Sequence, residues 1–134
     1  MSGVGTTTVA PAAVLTINPG TGVTLNQRTF DQQSTTGIWN GNGQISLENG
    51  AQFNNSGTLA ATGDGAISAL NAGLNSEFNN SGTFRKSGGT STVLTSDCCR
   101  TLTFNNTGLL DVQSGTLTAN NNVTFNNTDR KSVV

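Results

Sequence analysis

Asp97, Cys98, Cys99 and Arg100 stand side by side, and they are the residues of this chain whose types could do chemistry at close range. A carboxylate with a nearby arginine is part of the equipment of a polysaccharide-acting β-helical enzyme, where carboxylates hold calcium and arginine serves as base. Such a site needs further carboxylates converging on it. Asp31, Glu48, Asp64, Glu77 and Asp111 fall at different places along the chain's repeat, with no two at matched positions. They read as solvated turn charges, and no catalytic residue is assigned. The expectation is a protein that is not an enzyme.

The cysteine pair offers two thiols and no third. Two ligands do not complete a zinc site, and the chain has no histidine to add to them. Adjacent residues on a strand face opposite ways, so at most one could enter a core. The expected state is a free pair in a loop. The "GDG" of residues 63–65 is a fragment of a calcium-binding nonapeptide and lacks the rest of that pattern, so a turn is expected there. No metal and no cofactor is expected anywhere. Arg85 and Lys86 are lone cations rather than a basic patch. The net charge of −1 leaves no electrostatic footprint for nucleic acid. No apolar run is long enough for membrane insertion as a helix.

What must position these residues is a repeat. "FNNSGTL" at 53–59 returns as "FNNSGTF" from Phe78, "FNNTGLL" from Phe104 and "FNNT" from Phe125. The phenylalanines are 25, 26 and 21 residues apart, and Gly37, Gly57, Gly82 and Gly108 follow at intervals of 20, 25 and 26. A degenerate unit, "VLTINPGTGVTLNQRTF", precedes them.

Each unit holds three short apolar pieces separated by turn residues. The first presents Trp39, Leu59, Phe84 or Leu110, and the second Ile45, Ile67, Val93 or Leu117. The third ends in the phenylalanine, usually with an apolar residue two positions earlier and a polar one between. That alternation is the period of a strand with one buried face. Three strands in each 20- to 26-residue turn predict an all-β, right-handed parallel β-helix of about five coils. At roughly 4.8 Å per coil its length is about 24 Å.

Thr, Asn, Gly and Ser make up about half of the sequence, while 33% is hydrophobic and 10% charged. That balance suits a thin, hydrogen-bonded β structure better than a helical bundle. Phe53, Phe78, Phe104 and Phe125 are expected to stack in one interior column. Asn54, Asn79, Asn105 and Asn126 are expected to form an amide ladder at a corner, with the asparagine pair turning the chain and the following glycine supplying a permissive dihedral. Trp39 is expected in the core. The Asn-Asn-Ser/Thr steps match a glycosylation sequon through composition. Thr58 and Thr83 begin an outward threonine column that Ile38 and Leu109 interrupt.

Units such as "FNNSGTFRKSGG" and "FNNTGLLDVQSGTLT" resemble repeats of large bacterial secreted and surface proteins of the filamentous-haemagglutinin and autotransporter-passenger class. The resemblance covers about residues 34–128 and implies an extracellular or cell-surface β-helical stalk carrying adhesion or display. It supplies no catalytic motif. An ice- or crystal-binding β-helix and a fragment of a polysaccharide-acting enzyme are the alternatives. The implied partners are a host-surface or carbohydrate receptor, neighbouring coils of the parent protein, and other copies through the open ends of the stack.

The expected organisation is a disordered segment at 1–8, one solenoid domain at 9–128 and a non-structural tail at 129–134. "MSGVGTTTVAPAAVLT" has neither the basic nor the apolar region of a signal peptide. "DRKSVV" breaks the repeat with two cations in six residues and is read as a sequencing artefact on a truncated piece of a longer reading frame.

Overall fold

A computed structural model describes residues 1–71, 73–120 and 122–129. The expected tail at 129–134 therefore lies outside the described residues apart from Asp129. A first strand, β1 (Thr6–Val9), is followed by five coils of three strands each. These are β2 (Thr16–Ile17), β3 (Gly22–Asn26) and β4 (Thr29–Gln32), then β5 (Gly37–Trp39), β6 (Gln44–Glu48) and β7 (Gln52–Asn55). The third coil holds β8 (Thr58–Ala61), β9 (Ala66–Leu70) and β10 (Ser76–Asn80), and the fourth β11 (Thr83–Lys86), β12 (Ser91–Ser96) and β13 (Leu102–Asn106). The last holds β14 (Leu109–Val112), β15 (Thr116–Ala119) and β16 (Val123–Asn127).

Every strand pairs in parallel with its counterpart in the next coil, building three sheets. Their orders are β1-β4-β7-β10-β13-β16, β2-β5-β8-β11-β14 and β3-β6-β9-β12-β15. The chain is a parallel β-solenoid, and among the described residues it has no helix able to cross a membrane. A single coil cannot cover its own inner face. Stacking converts backbone groups that would face water into coil-to-coil hydrogen bonds and closes the core between sheets.

That core has a phenylalanine spine. Phe30, Phe53, Phe78, Phe104 and Phe125 are in register, with successive ring centroids 5.1, 5.4, 5.1 and 4.9 Å apart. Phe84 from the second sheet meets Phe78 edge-on at 5.1 Å. Such tilted and edge-to-face contacts suit the ring quadrupole better than flat sandwiches. Phe125 ends the column 40% exposed, because no described coil lies beyond it.

Four expectations are corrected. Residues 1–8 are not a disordered segment throughout, since β1 adds a strand to the spine sheet by pairing with β4 and Ser2 bridges to Asn26. Thr-rich "TTTV" alternates like the strand beneath it, and that edge was free to accept it. Second, Trp39 does not share a column with Leu59, Phe84 and Leu110. Gly37 pairs with Leu59, so Trp39 lies over Ala61 and then Lys86. The indole is fully buried, and a Cβ on Gly65 would overlap its ring. The second glycine of "GDG" is thus a space left for tryptophan. The same slip puts Ile38 over Ala60, so of the two expected interruptions of the Thr58–Thr83 column only Leu109 is in register.

Third, Leu94 rather than Val93 sits over Ile67. Both neighbours are apolar, so alternation alone does not choose between them; Leu94 is fully buried and Val93 faces outward. Fourth, the paired asparagines do not turn the corner. They lie within extended strands, and among the described residues the left-handed positions other than glycine are Gln27, Asn49, Asn71 and Asn122 at φ of 50–67°, between the second and third strands of their coils. Nor do Gly57, Gly82 and Gly108 supply a positive φ. A Cβ on Gly82 would overlap the carbonyl oxygen of Gly57, and one on Gly108 that of Gly82. These glycines recur because coils approach too closely there for any side chain.

Candidate functional site

The residues repeated most faithfully build two parallel rows of amides along the spine sheet. In the outer row Asn54 Nδ2 donates to Asp31 Oδ1 at 2.8 Å, Asn79 to Asn54 at 3.0 Å, Asn105 to Asn79 at 2.8 Å and Asn126 to Asn105 at 2.9 Å. A carboxylate can only accept, so Asp31 orients Asn54, and each amide then orients the next. Every donor in this row points back towards the first coil.

The inner row runs the other way. Asn55 Nδ2 donates forward to Asn80 Oδ1 at 2.6 Å, Asn80 donates to Asn106 Oδ1, and Asn106 to Asn127 Oδ1 at 2.8 Å. Backbone carbonyls set this polarity, because Asn55 Nδ2 also donates to Thr83 O at 2.9 Å and Asn80 Nδ2 to Leu109 O at 3.2 Å. Asn55, Asn80 and Asn106 are fully buried. The row starts with an orphan, since the buried Asn55 Oδ1 has no donor. The equivalent position one coil earlier is Gln32, whose longer amide reaches Ser34 and Thr58 instead. Sequence reasoning named the outer row and missed the inner one. Its signal was present in the second asparagine of all four "FNN" steps.

Glu48, Glu77, Asp111, Arg85, Lys86 and Asp64 are likewise spent between coils. Glu48 accepts from Asn26 Nδ2 at 3.0 Å, Glu77 from Gln52 Nε2 at 3.3 Å, and Asp111 pairs with Arg85 at 2.8 Å across the stack. Lys86, read in the sequence only as a lone cation, is fully buried beneath Trp39 and Ala61. Its Nζ donates to the carbonyls of Gly63 and Gly88 and lies 3.7 Å from Asp64 Oδ1. Asp64 in turn receives the N–H groups of Ser91 and Thr90 from the next coil. Those two backbone donors, Ser91 first, hold its carboxyl below the ordinary aspartate range, and the Lys86 cation adds to them. The "GDG" turn is therefore a polar staple between coils.

Asp97 and Arg100 do not bond one another. Asp97 Oδ1 accepts the Cys99 N–H at 3.1 Å, while Arg100 Nε donates to Asn71 O at 3.2 Å. Cys98 and Cys99 are both exposed, in the loop that replaces the usual left-handed corner of the fourth coil. Among the described residues no group of three or more His, Cys, Asp or Glu is close enough to hold a metal ion.

What this arrangement does is join coil to coil, and the class it defines is the β-solenoid repeat protein. No family model, curated protein or solved structure matches the chain.

Proposed function

We propose that this chain is a structural and adhesive β-solenoid segment of a bacterial surface or secreted protein, extracellular and without chemistry of its own. The observation that carries the reading is the fate of its repeated residues. Phe, both asparagines and the close-contact glycine of each unit are consumed in contacts with the coils above and below. A repeat selected for stacking lengthens a rod at constant cross-section, which is what a stalk or display scaffold requires. The likeness of its units to filamentous-haemagglutinin and autotransporter-passenger repeats supports the same role.

In this reading a host-surface or carbohydrate receptor meets the outward polar rows of the spine sheet, where Thr29, Gln52, Glu77, Thr103 and Thr124 lie in register beside the outer amides. Neighbouring coils of the parent protein, or a second copy, meet the apolar ends. Ice binding draws less support, because the Thr58–Thr83 column continues into Leu109.

The test is attachment of beads coated with the chain to host-cell monolayers and to a glycan array. Saturable attachment, competed away by the soluble chain, is the expected result. Absence of attachment to every surface would overturn the adhesive role. Release of unsaturated uronic acids from an acidic polysaccharide would reassign the chain to the lyases, and inhibited ice recrystallisation to the ice binders.

A further inference from the structure

The loop between β12 and β13 brings the two thiols together in a way a strand does not. Neighbours on a strand point to opposite faces, but residues 98 and 99 form a turn, and their Sγ atoms lie 2.9 Å apart. Both adjacent coils hold that turn. Arg100 Nε bonds Asn71 O in the coil before at 3.2 Å, and Asn122 Nδ2 in the coil after bonds Asp97 O at 3.0 Å. Within the loop, Ser96 Oγ donates to Arg100 O at 2.7 Å and Cys99 N–H to Asp97 Oδ1 at 3.1 Å. The backbone is anchored while the thiols face solvent.

Two convergent thiols, with no third His, Cys, Asp or Glu close enough among the described residues to complete a metal site, select a particular chemistry. Structural zinc needs four protein ligands and does not fit. A soft, trivalent centre that arrives with one carbon substituent needs two sulfurs and nothing more. We propose that Cys98 and Cys99 form a bidentate binding site for monosubstituted trivalent arsenicals, RAs(OH)2 or its anhydride. Two As–O bonds break and two As–S bonds form. Each thiol proton leaves with a hydroxyl group as water, and arsenic remains trivalent, so no oxidant is consumed. The hydrogen bond with Cys98, followed by the Coulombic effect of that neighbour, raises the Cys99 thiol above its ordinary pKa. The two thiols already stand side by side, so closing the two-sulfur chelate needs little rearrangement of the loop.

The probe is phenylarsine oxide, added to the full chain after reduction with a phosphine and followed by intact mass and free-thiol titration. One phenylarsenic group per chain is expected, with both thiols lost, released by excess 2,3-dimercaptopropanol and retained against a monothiol. Cys98→Ser and Cys99→Ser should each weaken retention about a hundredfold or more, the loss of a two-point attachment. Circular dichroism of these exposed-site variants should match the parent. Retention undiminished in either variant, or two thiols still titrating beside a stoichiometric amount of probe, would overturn the proposal.

Discussion

The ammonium of Lys86 is sealed inside the solenoid 3.7 Å from Asp64 Oδ1, a carboxylate that itself gathers two N–H groups from the next coil. A buried cation left without its anion is strongly unfavourable, so the staple matters more than its partly exposed carboxylate suggests. Because the folded-state pKa of Asp64 is depressed, its contribution is complete above the ordinary aspartate value of about 3.9. It is lost as pH falls through the lower folded value. Thermal unfolding should therefore show a midpoint that declines on acidification below about pH 4. Asp64→Asn should lower the midpoint at pH 7 and flatten that acid limb. An acid limb of equal slope in the variant would show that other groups carry it.

The two amide rows should differ in energy. Removing Asn80 leaves Asn55 Nδ2 without its forward acceptor and Asn106 Oδ1 without its donor, both buried. Asn80→Ala should cost about 2–4 kcal/mol in denaturant titration. Asn79 makes the same kind of bonds in the half-solvated outer row, where water replaces them. Asn79→Ala should cost about 1 kcal/mol or less. Equal losses would mean that burial does not distinguish the rows.

Glycine at 82 is a matter of space. Gly82→Ala pushes a methyl group onto the Gly57 carbonyl oxygen and should cost at least about 2–3 kcal/mol, since backbone stacked on backbone has little room to give. Gly20 is the control, because a Cβ there meets nothing within 4 Å. Gly20→Ala should leave the denaturation midpoint within about 0.5 kcal/mol of the parent. Toleration of Gly82→Ala would refute the close coil approach.

Along the phenylalanine spine, cost should follow enclosure. Phe78 is fully buried and touches Phe53, Phe84 and Phe104, so Phe78→Ala should lose about 3–5 kcal/mol. Phe125 contacts Phe104 at 4.9 Å but is 40% exposed. Phe125→Ala should lose about 1–2 kcal/mol, because much of its surface already meets solvent. A Phe78→Ala change below about 1 kcal/mol would contradict a closed stack.

The recurrence of Phe, Asn, Asn and Gly, with polar and apolar residues alternating before them, determined the parallel solenoid, its three strands per coil and the alignment of Phe53, Phe78 and Phe104. Alternation settles which residues share a face, because strand geometry has a period of two. It does not settle which residue of the next coil lies above. That depends on turn length and on how side chains of unequal size fill a common interior. Gly37 consequently pairs with Leu59 rather than Gly57, and Leu94 displaces Val93 from the core. Only the assembled stack buried Lys86, read in the sequence only as a lone cation, and only there did Asp64 and two carbonyls converge on it. The opposed polarity of the two asparagine rows was decided in the same way. Identical amides carry no direction until a carboxylate at Asp31 and the carbonyls of Thr83 and Leu109 impose one.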